Sequence, residues 1–122
     1  MAWDVEYTDE FELWWLTLDG EEQYAIDILV GLLEEKCPQL PFPQSSEITT
    51  SRHGHMRELR VQYRGRPYRV LYAFDPRRVA LLLPGGSKIG DDCWHEKYIP
   101  IADSLYDEHL DEFRRDGLID GT

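Results

Sequence analysis

Residues 56–83 constrain this chain most. Three strand-like runs, 56–63, 68–74 and 79–83, are separated by Arg64-Gly65-Arg66-Pro67 and Asp75-Pro76-Arg77-Arg78. Period-two runs punctuated by Gly, Pro and Asp make β-hairpins, not helices. The third run, Val-Ala-Leu-Leu-Leu, is apolar on both faces, which predicts an interior strand, and Pro84-Gly85-Gly86-Ser87 predicts its end. With Gly65-Arg66 central in a type II′ turn, Arg64 pairs with Pro67, Gln62 with Arg69 and Arg60 with Leu71. One face then carries Leu59, Val61, Tyr63, Tyr68, Val70 and Tyr72, and the other Arg60, Gln62, Arg64 and Arg69. A one-residue slip would scramble both faces. The second hairpin sets Arg69 beside Pro84, with Lys88 just beyond.

The flanks predict helices. Trp3, Val5 and Tyr7 alternate with Asp4 and Glu6 as a short first strand. Thr8-Asp9 offers an N-cap, Glu10 and Glu12 suit a first turn, and the stripe Phe11, Trp14, Trp15 and Leu18 ends at Gly20. A second helix is predicted over 21–36, with Ala25, Ile28, Leu29, Leu32 and Leu33 on its core face and Pro38 as its stop. Residues 38–51 read as a connection with a short extended piece near 47–50. A last helix is predicted from about Asp91-Asp92 to Arg115, with Ala102, Leu105, Tyr106, His109, Leu110 and Phe113 inward and Pro100 kinking or dividing it.

A length of 122 residues predicts one domain with one core. No apolar run approaches the ~20 residues of a membrane span. The acidic start (Asp4, Glu6, Asp9, Glu10) is the wrong charge for a secretory signal, so the cytoplasm is the expected compartment. Cys37 and Cys93 lack any CxxC or Cys/His ligand spacing and are expected as reduced thiols.

A net charge of −11 argues by itself against a nucleic-acid binder, but its distribution reverses that argument. Nine Lys/Arg (Arg52, Arg57, Arg60, Arg64, Arg66, Arg69, Arg77, Arg78, Lys88) stand against Glu58 and Asp75 between positions 52 and 88, giving that segment +7 and the remainder −18. Arg52, His53, His55 and Arg57 lead into the first strand of the hairpin, so cations and two imidazoles are expected to converge on one concave sheet face. Phosphate suits such a face, because guanidinium binds it bidentately and stays charged. Arg64, Arg66, Arg77 and Arg78 lie in turns, where solvated charge is the ordinary explanation. His95 reads as a solvated helix residue and His109 as a core or interface histidine. Gly85-Gly86-Ser87-Lys88 lacks the GxxxxGK[ST] spacing of a phosphate loop, and neither HExxH nor a Ser/His/Asp motif is present, so neither metal nor cofactor is expected. The acidic helices are either a surface for a basic partner segment or solubility devices.

Four strings carry a family resemblance: Ser51-Arg52-His53-Gly54-His55-Met56-Arg57-Glu58-Leu59-Arg60, Tyr68-Arg69-Val70-Leu71-Tyr72, Leu81-Leu82-Leu83 followed by Lys88, and Trp94-His95-Glu96-Lys97-Tyr98-Ile99-Pro100-Ile101-Ala102-Asp103. Over nearly the whole chain they resemble the HigB-like, phage-derived branch of the RelE/ParE toxin superfamily. The resemblance implies a single α+β toxin domain over 1–122, with an N-terminal helical hairpin packed on a small antiparallel sheet of three to five strands and a C-terminal helix. It implies a type II toxin held by a cognate antitoxin, often a helix-turn-helix protein, with a toxin–antitoxin heterotetramer as a possible assembly. It also implies metal-independent cleavage of mRNA, usually on the ribosome. It matches Arg60 to the ELR arginine, Arg69 to the YR arginine and Lys88 to the basic residue after the last strand.

On that reading Arg60 and Arg69 stabilise phosphate and transition-state charge. Lys88 and Arg52 are further phosphate contacts, and Arg57, Arg64 and Arg66 add RNA contacts. His53 or His55 transfers the proton, while Glu58, on the Arg60 face, is expected in an ion pair. Two alternatives stand beside it: a ParE-like toxin that binds DNA gyrase without cutting RNA, and a catalytically silent partner-binding module.

Overall fold

Alternation along the central segment builds a five-stranded sheet. The structure, a computed structural model, describes residues 4–36, 39–91 and 93–117. In chain order the elements are β1 (Val5–Tyr7), α1 (Asp9–Trp15), α2 (Gly20–Lys36), β2 (Ser45–Glu47), β3 (Arg57–Tyr63), β4 (Arg66–Phe74), β5 (Ala80–Ser87) and α3 (Trp94–Arg115). The sheet order is β1-β5-β4-β3-β2. β1 joins β5 in parallel and the other pairs are antiparallel, so the sheet is mixed where an antiparallel one was expected.

Successive strand residues point to opposite faces, so each face has its own core. Phe11, Ile26, Leu33, Leu59, Val61, Tyr68, Val70, Tyr72 and Leu82 lie between the sheet and α1/α2. Met56, Leu71, Ala73, Leu81, Leu83, Trp94, Ile99, Ala102 and Tyr106 lie beneath α3. Leu81 and Leu82 serve opposite cores, which is why the β5 run carries no polar face.

The hairpin register differs from the sequence expectation. Arg64 (φ 51°) and Gly65 (φ 74°) are the two turn residues, both left-handed, as a type I′ turn requires. Tyr63 therefore pairs with Arg66, Gln62 with Pro67 and Arg60 with Arg69. Each pairing moves by two residues, an even number, so the sorting of the strand residues between faces survives while every partner changes.

β5 also continues past Pro84. Tyr72 pairs with Leu82 and Val70 with Gly85, so Leu83 and Pro84 together oppose Leu71. A bulge is where a residue without an N–H can sit inside a sheet. Arg69 consequently pairs with Gly86 and not Pro84. The glycines serve packing: a Cβ on Gly85 would lie 2.3 Å from the Trp14 ring, and one on Gly86 2.8 Å from Trp94 Nε1.

Thr8 caps α1 as its position suggests, accepting from Phe11 N–H at 3.2 Å and donating to the Leu83 carbonyl at 3.0 Å. α3 runs unbroken through Pro100, which was expected to kink or divide it. Pro100 and Glu96, whose carbonyl loses its helical donor, are both exposed. Cys93 is an exposed free thiol. The expectations for Trp3, Cys37, Pro38 and Asp92 lie outside the described residues. Among the described residues no helix is long and apolar enough to cross a membrane.

Candidate functional site

Arg60 and Arg69 stand directly across from each other on the α3 face of the β3–β4 ribbon. Like charges so placed repel. Glu58, two residues before Arg60 and on the same face, separates them. Its Oε1 lies 3.2 Å from Arg60 Nη1 and 3.9 Å from Arg69 Nε. Its Oε2 lies 2.6 Å from Nε2 of His95, in the first turn of α3. The Glu58 and Arg69 side chains are 4% and 8% exposed, against 31% and 32% for Arg60 and His95. The carboxylate and one guanidinium thus form a buried base under two half-open groups. Burial, then the charge of Arg60, lowers the pKa of Arg69, and Glu58 opposes the shift.

Trp94 fixes where α3 begins. It is buried over Gly86 and stacks on Tyr98 with ring centroids 4.6 Å apart. His95, edge-on to Trp94 at 5.2 Å, is thereby delivered to Glu58. Arg69 Nη1 donates to the Tyr68 carbonyl at 3.0 Å. Arg69 Nε and Trp94 Nε1 are buried donors with no hydrogen-bond partner among the described residues.

The structure brings together Arg60 and Arg69 among the predicted site residues. Lys88 adjoins them: its N–H donates to the Pro67 carbonyl at 2.8 Å, two residues beyond the Gly86–Arg69 pair. His53 and His55 are not brought there. His53 Nε2 lies 2.8 Å from Asp107 and its ring sits edge-on to Tyr106 at 4.7 Å. Arg52 pairs with Asp107, and the Ser51 hydroxyl donates to Asp103 at 2.5 Å. Burial pushes the Asp107 carboxyl up, but hydrogen bonds from Arg52 and His53 hold it below its ordinary value. This loop is a latch onto α3. His55 is exposed beside Phe74, Pro76 and Arg78, at the far end of β4, about 15 Å along the strand from Arg69.

The other arginines also diverge. Arg57 turns to the opposite face, where its Nε donates to Ser45 Oγ at 2.9 Å. Arg66 is paired with Tyr63 and so shares that face. Arg64, in the turn, pairs with Glu21 at 2.8 Å. Strand alternation separates Arg57 and Arg66 from Arg60 and Arg69, so these two do not extend the cluster. His95, read from sequence as solvated, is instead a member of it.

A carboxylate-oriented, half-open imidazole beside two guanidinium groups can hold an oxyanion and move a proton. Among the described residues no group of three or more His, Cys, Asp or Glu is arranged to hold a metal ion.

Residues 13–107 match the family model described as phage-derived protein Gp49-like. The chain is 35% identical over 115 residues to the candidate toxin HigB2 of Mycobacterium tuberculosis (strain ATCC 25618 / H37Rv), covering 93% of this chain and 57% of HigB2. It therefore spans little more than half the length of that relative. It is 37% identical over 102 residues to the candidate toxin HigB3 of the same organism, covering 83% of this chain and 88% of HigB3. Among solved structures, a mutant of the E. coli toxin RelE in the free state superposes with a TM-score of 0.60 at 12% identity, covering 86% of this chain and 98% of that one. The archaeal RelE–RelB complex from Pyrococcus horikoshii OT3 gives 0.54 at 16% identity, covering 74% and 99%. The toxin–antitoxin complex RelBE2 from M. tuberculosis gives 0.51 at 17% identity, covering 70% and 96%. At such identities these superpositions speak to the fold.

Proposed function

This chain belongs to the phage-derived Gp49-like family, in the HigB-like branch of the RelE/ParE superfamily, and from that premise we propose that it is the toxin of a type II toxin–antitoxin system, a cytoplasmic, metal-independent endoribonuclease that cuts mRNA on the ribosome. The observation that carries the reading is the cluster of Glu58, Arg60, Arg69 and His95. RNA cleavage by the 2′-hydroxyl requires removal of its proton, stabilisation of the phosphorane charge and protonation of the leaving 5′-oxygen. Arg60, on the open side, contacts the non-bridging oxygens. Arg69 acts from below, where low dielectric strengthens its charge. Lys88 is a further phosphate contact. His95 holds Glu58 through Nε2 and is left with Nδ1 to pass a proton at the reacting phosphate. Glu58 has both oxygens engaged, so it is a positioning residue.

A second surface supports an antitoxin partner. A groove of about 430 Å³ between β1, α1 and α2 has an apolar floor that includes Val5, Phe11 and Trp15, and a rim of Glu12, Asp27 and Glu34. Tyr7 and Leu16, which line it, are 59% and 67% exposed. An apolar floor under an acidic rim fits a segment mixing apolar and basic residues. Such a segment would come from the cognate antitoxin, as a helix-turn-helix protein in a heterotetramer. One of the structural neighbours is a toxin–antitoxin complex by name, and another is a RelE–RelB complex.

The test is Arg60→Glu. Wild type should cleave mRNA in a translating extract and leave purified gyrase supercoiling unaffected. The variant should lose cleavage while keeping its circular dichroism spectrum. Full cleavage by the variant would refute the site, and gyrase inhibition without cleavage would favour the ParE-like alternative.

A further inference from the structure

A groove of about 310 Å³ shares Arg60 and Arg69 with the Glu58–His95 cluster and extends beyond it. Leu29, Pro43 and Gln44 line one side, and Arg60, Gln62 and Arg69 the other. It exists because β2 is short and pairs with β3 only at Arg57, Glu58 and Leu59. The chain preceding β2 adds one more bond, from Arg60 N–H to the Gln44 carbonyl at 2.9 Å. Main-chain groups alternate sides along a strand, so Gln62, two residues on, turns its N–H and C=O toward the same open edge. Phe42, next to Pro43 in the chain, is 69% exposed, with the guanidinium of the groove residue Arg60 over its ring at 5.1 Å. Phe42 belongs to neither core.

We propose that this groove is a nucleobase subsite. A base lies on the Phe42–Arg60 stack and presents its edge to the main chain and side-chain amide of Gln62, while the adjoining phosphate meets Arg60 and Arg69. Three features select this ligand class together. A flat aromatic and guanidinium surface suits a π-face. A strand edge offers one donor and one acceptor side by side, which matches the polar edge of a base. The cations lie where the backbone of the same nucleotide would pass. An inorganic anion would use only the arginines and leave the ring and the strand edge without a partner. Bases are available in this way only in single strands. The inference rests on the nuclease reading for the identity of the polymer and adds where one of its bases sits.

The test uses short single-stranded RNAs, 2′-O-methylated so that they resist cleavage, with an abasic nucleotide placed at each position in turn. They are titrated at low salt against wild type, Phe42→Ala and Phe42→Trp. Wild type should lose about 10-fold in affinity, about 1.4 kcal/mol, at one abasic position. Phe42→Ala should bind the intact RNA about 10-fold more weakly and be indifferent to that abasic position, because base and ring are lost as one interaction. Phe42→Trp should restore both the affinity and the discrimination. Phe42→Ala should melt with wild type, since Phe42 packs in no core. Cleavage of unmodified mRNA in the translating extract is measured alongside. Cleavage by wild type with no coupling between Phe42 and any abasic position overturns the subsite alone. Coupling without cleavage supports the subsite and overturns the nuclease reading. Neither binding nor cleavage by wild type overturns both, whereas cleavage without binding of the free RNA overturns the subsite alone.

Discussion

Replacing Glu58 by glutamine removes one negative charge from between two guanidinium groups and leaves the side-chain shape nearly unchanged. The carboxylate lies 3.2 Å from Arg60 and 3.9 Å from Arg69. Unit charges at those separations attract by about 5 and about 4 kcal/mol at an effective dielectric of about 20. Those are gross figures, because desolvating Glu58 and Arg69 consumes most of them. Measured costs of removing one member of a buried pair are about 3–5 kcal/mol, since the surviving charge stays buried without compensation. Here two charges survive, directly opposed across the ribbon. Total stability for a domain of this size is ~5–15 kcal/mol, so Glu58→Gln should lower Tm by about 10–20 °C. Calorimetry at low ionic strength reads the loss. Added sulfate or phosphate should then raise the Tm of the variant more than that of wild type, because an anion can stand between the guanidinium groups where the carboxylate stood. A variant melting within about 2 °C of wild type, with the same response to sulfate, would refute the account of the cluster as two cations held together by one buried acid.

His95→Ala should reduce kcat for RNA cleavage by about 10²–10⁴-fold, while His53→Ala and His55→Ala stay within about twofold of wild type. A loss at His53 equal to that at His95 would return proton transfer to the 51–56 loop. Asp75 gives a pH dependence: burial pushes its carboxyl up, but hydrogen bonds from Arg77, His109 and the Val79 and Arg77 amides hold it below its ordinary value. A folded pKa below the unfolded ~3.9 adds stability that is complete above ~3.9 and lost as pH falls through the folded value. The Tm gap between wild type and Asp75→Asn should therefore be widest near neutrality and close below about pH 4, and a gap constant from pH 7 to pH 2.5 would contradict it.

The face that each strand residue adopts was legible, because alternation and burial are local consequences of composition. Arg60, Gln62 and Arg69 share a face under either register, so the core of the site survived a wrong turn assignment. The turn itself was not legible, because Arg64 adopts a positive φ against residue preference. The end of β5 was misjudged because Pro and Gly usually end strands, whereas here a bulge absorbs Pro84 and two tryptophans require Gly85 and Gly86. Glu58 could be placed by alternation alone. His95 could not, because its partner depends on where α3 starts, and that is set by Trp94 packing over Gly86, a contact between distant segments. His53 and His55 misled because nearness in sequence to Arg57 and Arg60 was taken for nearness in space, while the loop that carries them is tied to α3 by Asp103 and Asp107.

The same geometry bears on the RNA binding proposed for this acidic protein. Nine bases fall between positions 52 and 88, but Arg52, Arg60, Arg64, Arg69 and Arg77 are each ion-paired, several with acids from outside the segment. The segment is therefore no broad cationic face. On the proposed nuclease reading the phosphate contacts narrow to Arg60 and Arg69, which share the single carboxylate of Glu58, and Lys88. Counterion release scales with the number of phosphates neutralised, and for single strands the slope of log K against log salt is about −0.7 per contact. Two or three contacts predict a slope between about −1.4 and about −2.1, whereas nine would give about −6. Titration of an uncleavable single-stranded RNA between low and moderate salt measures it directly. A steep slope near −6 would mean that the paired arginines release their carboxylates to bind RNA, and the division between latch residues and site residues drawn from the ion pairs would be wrong.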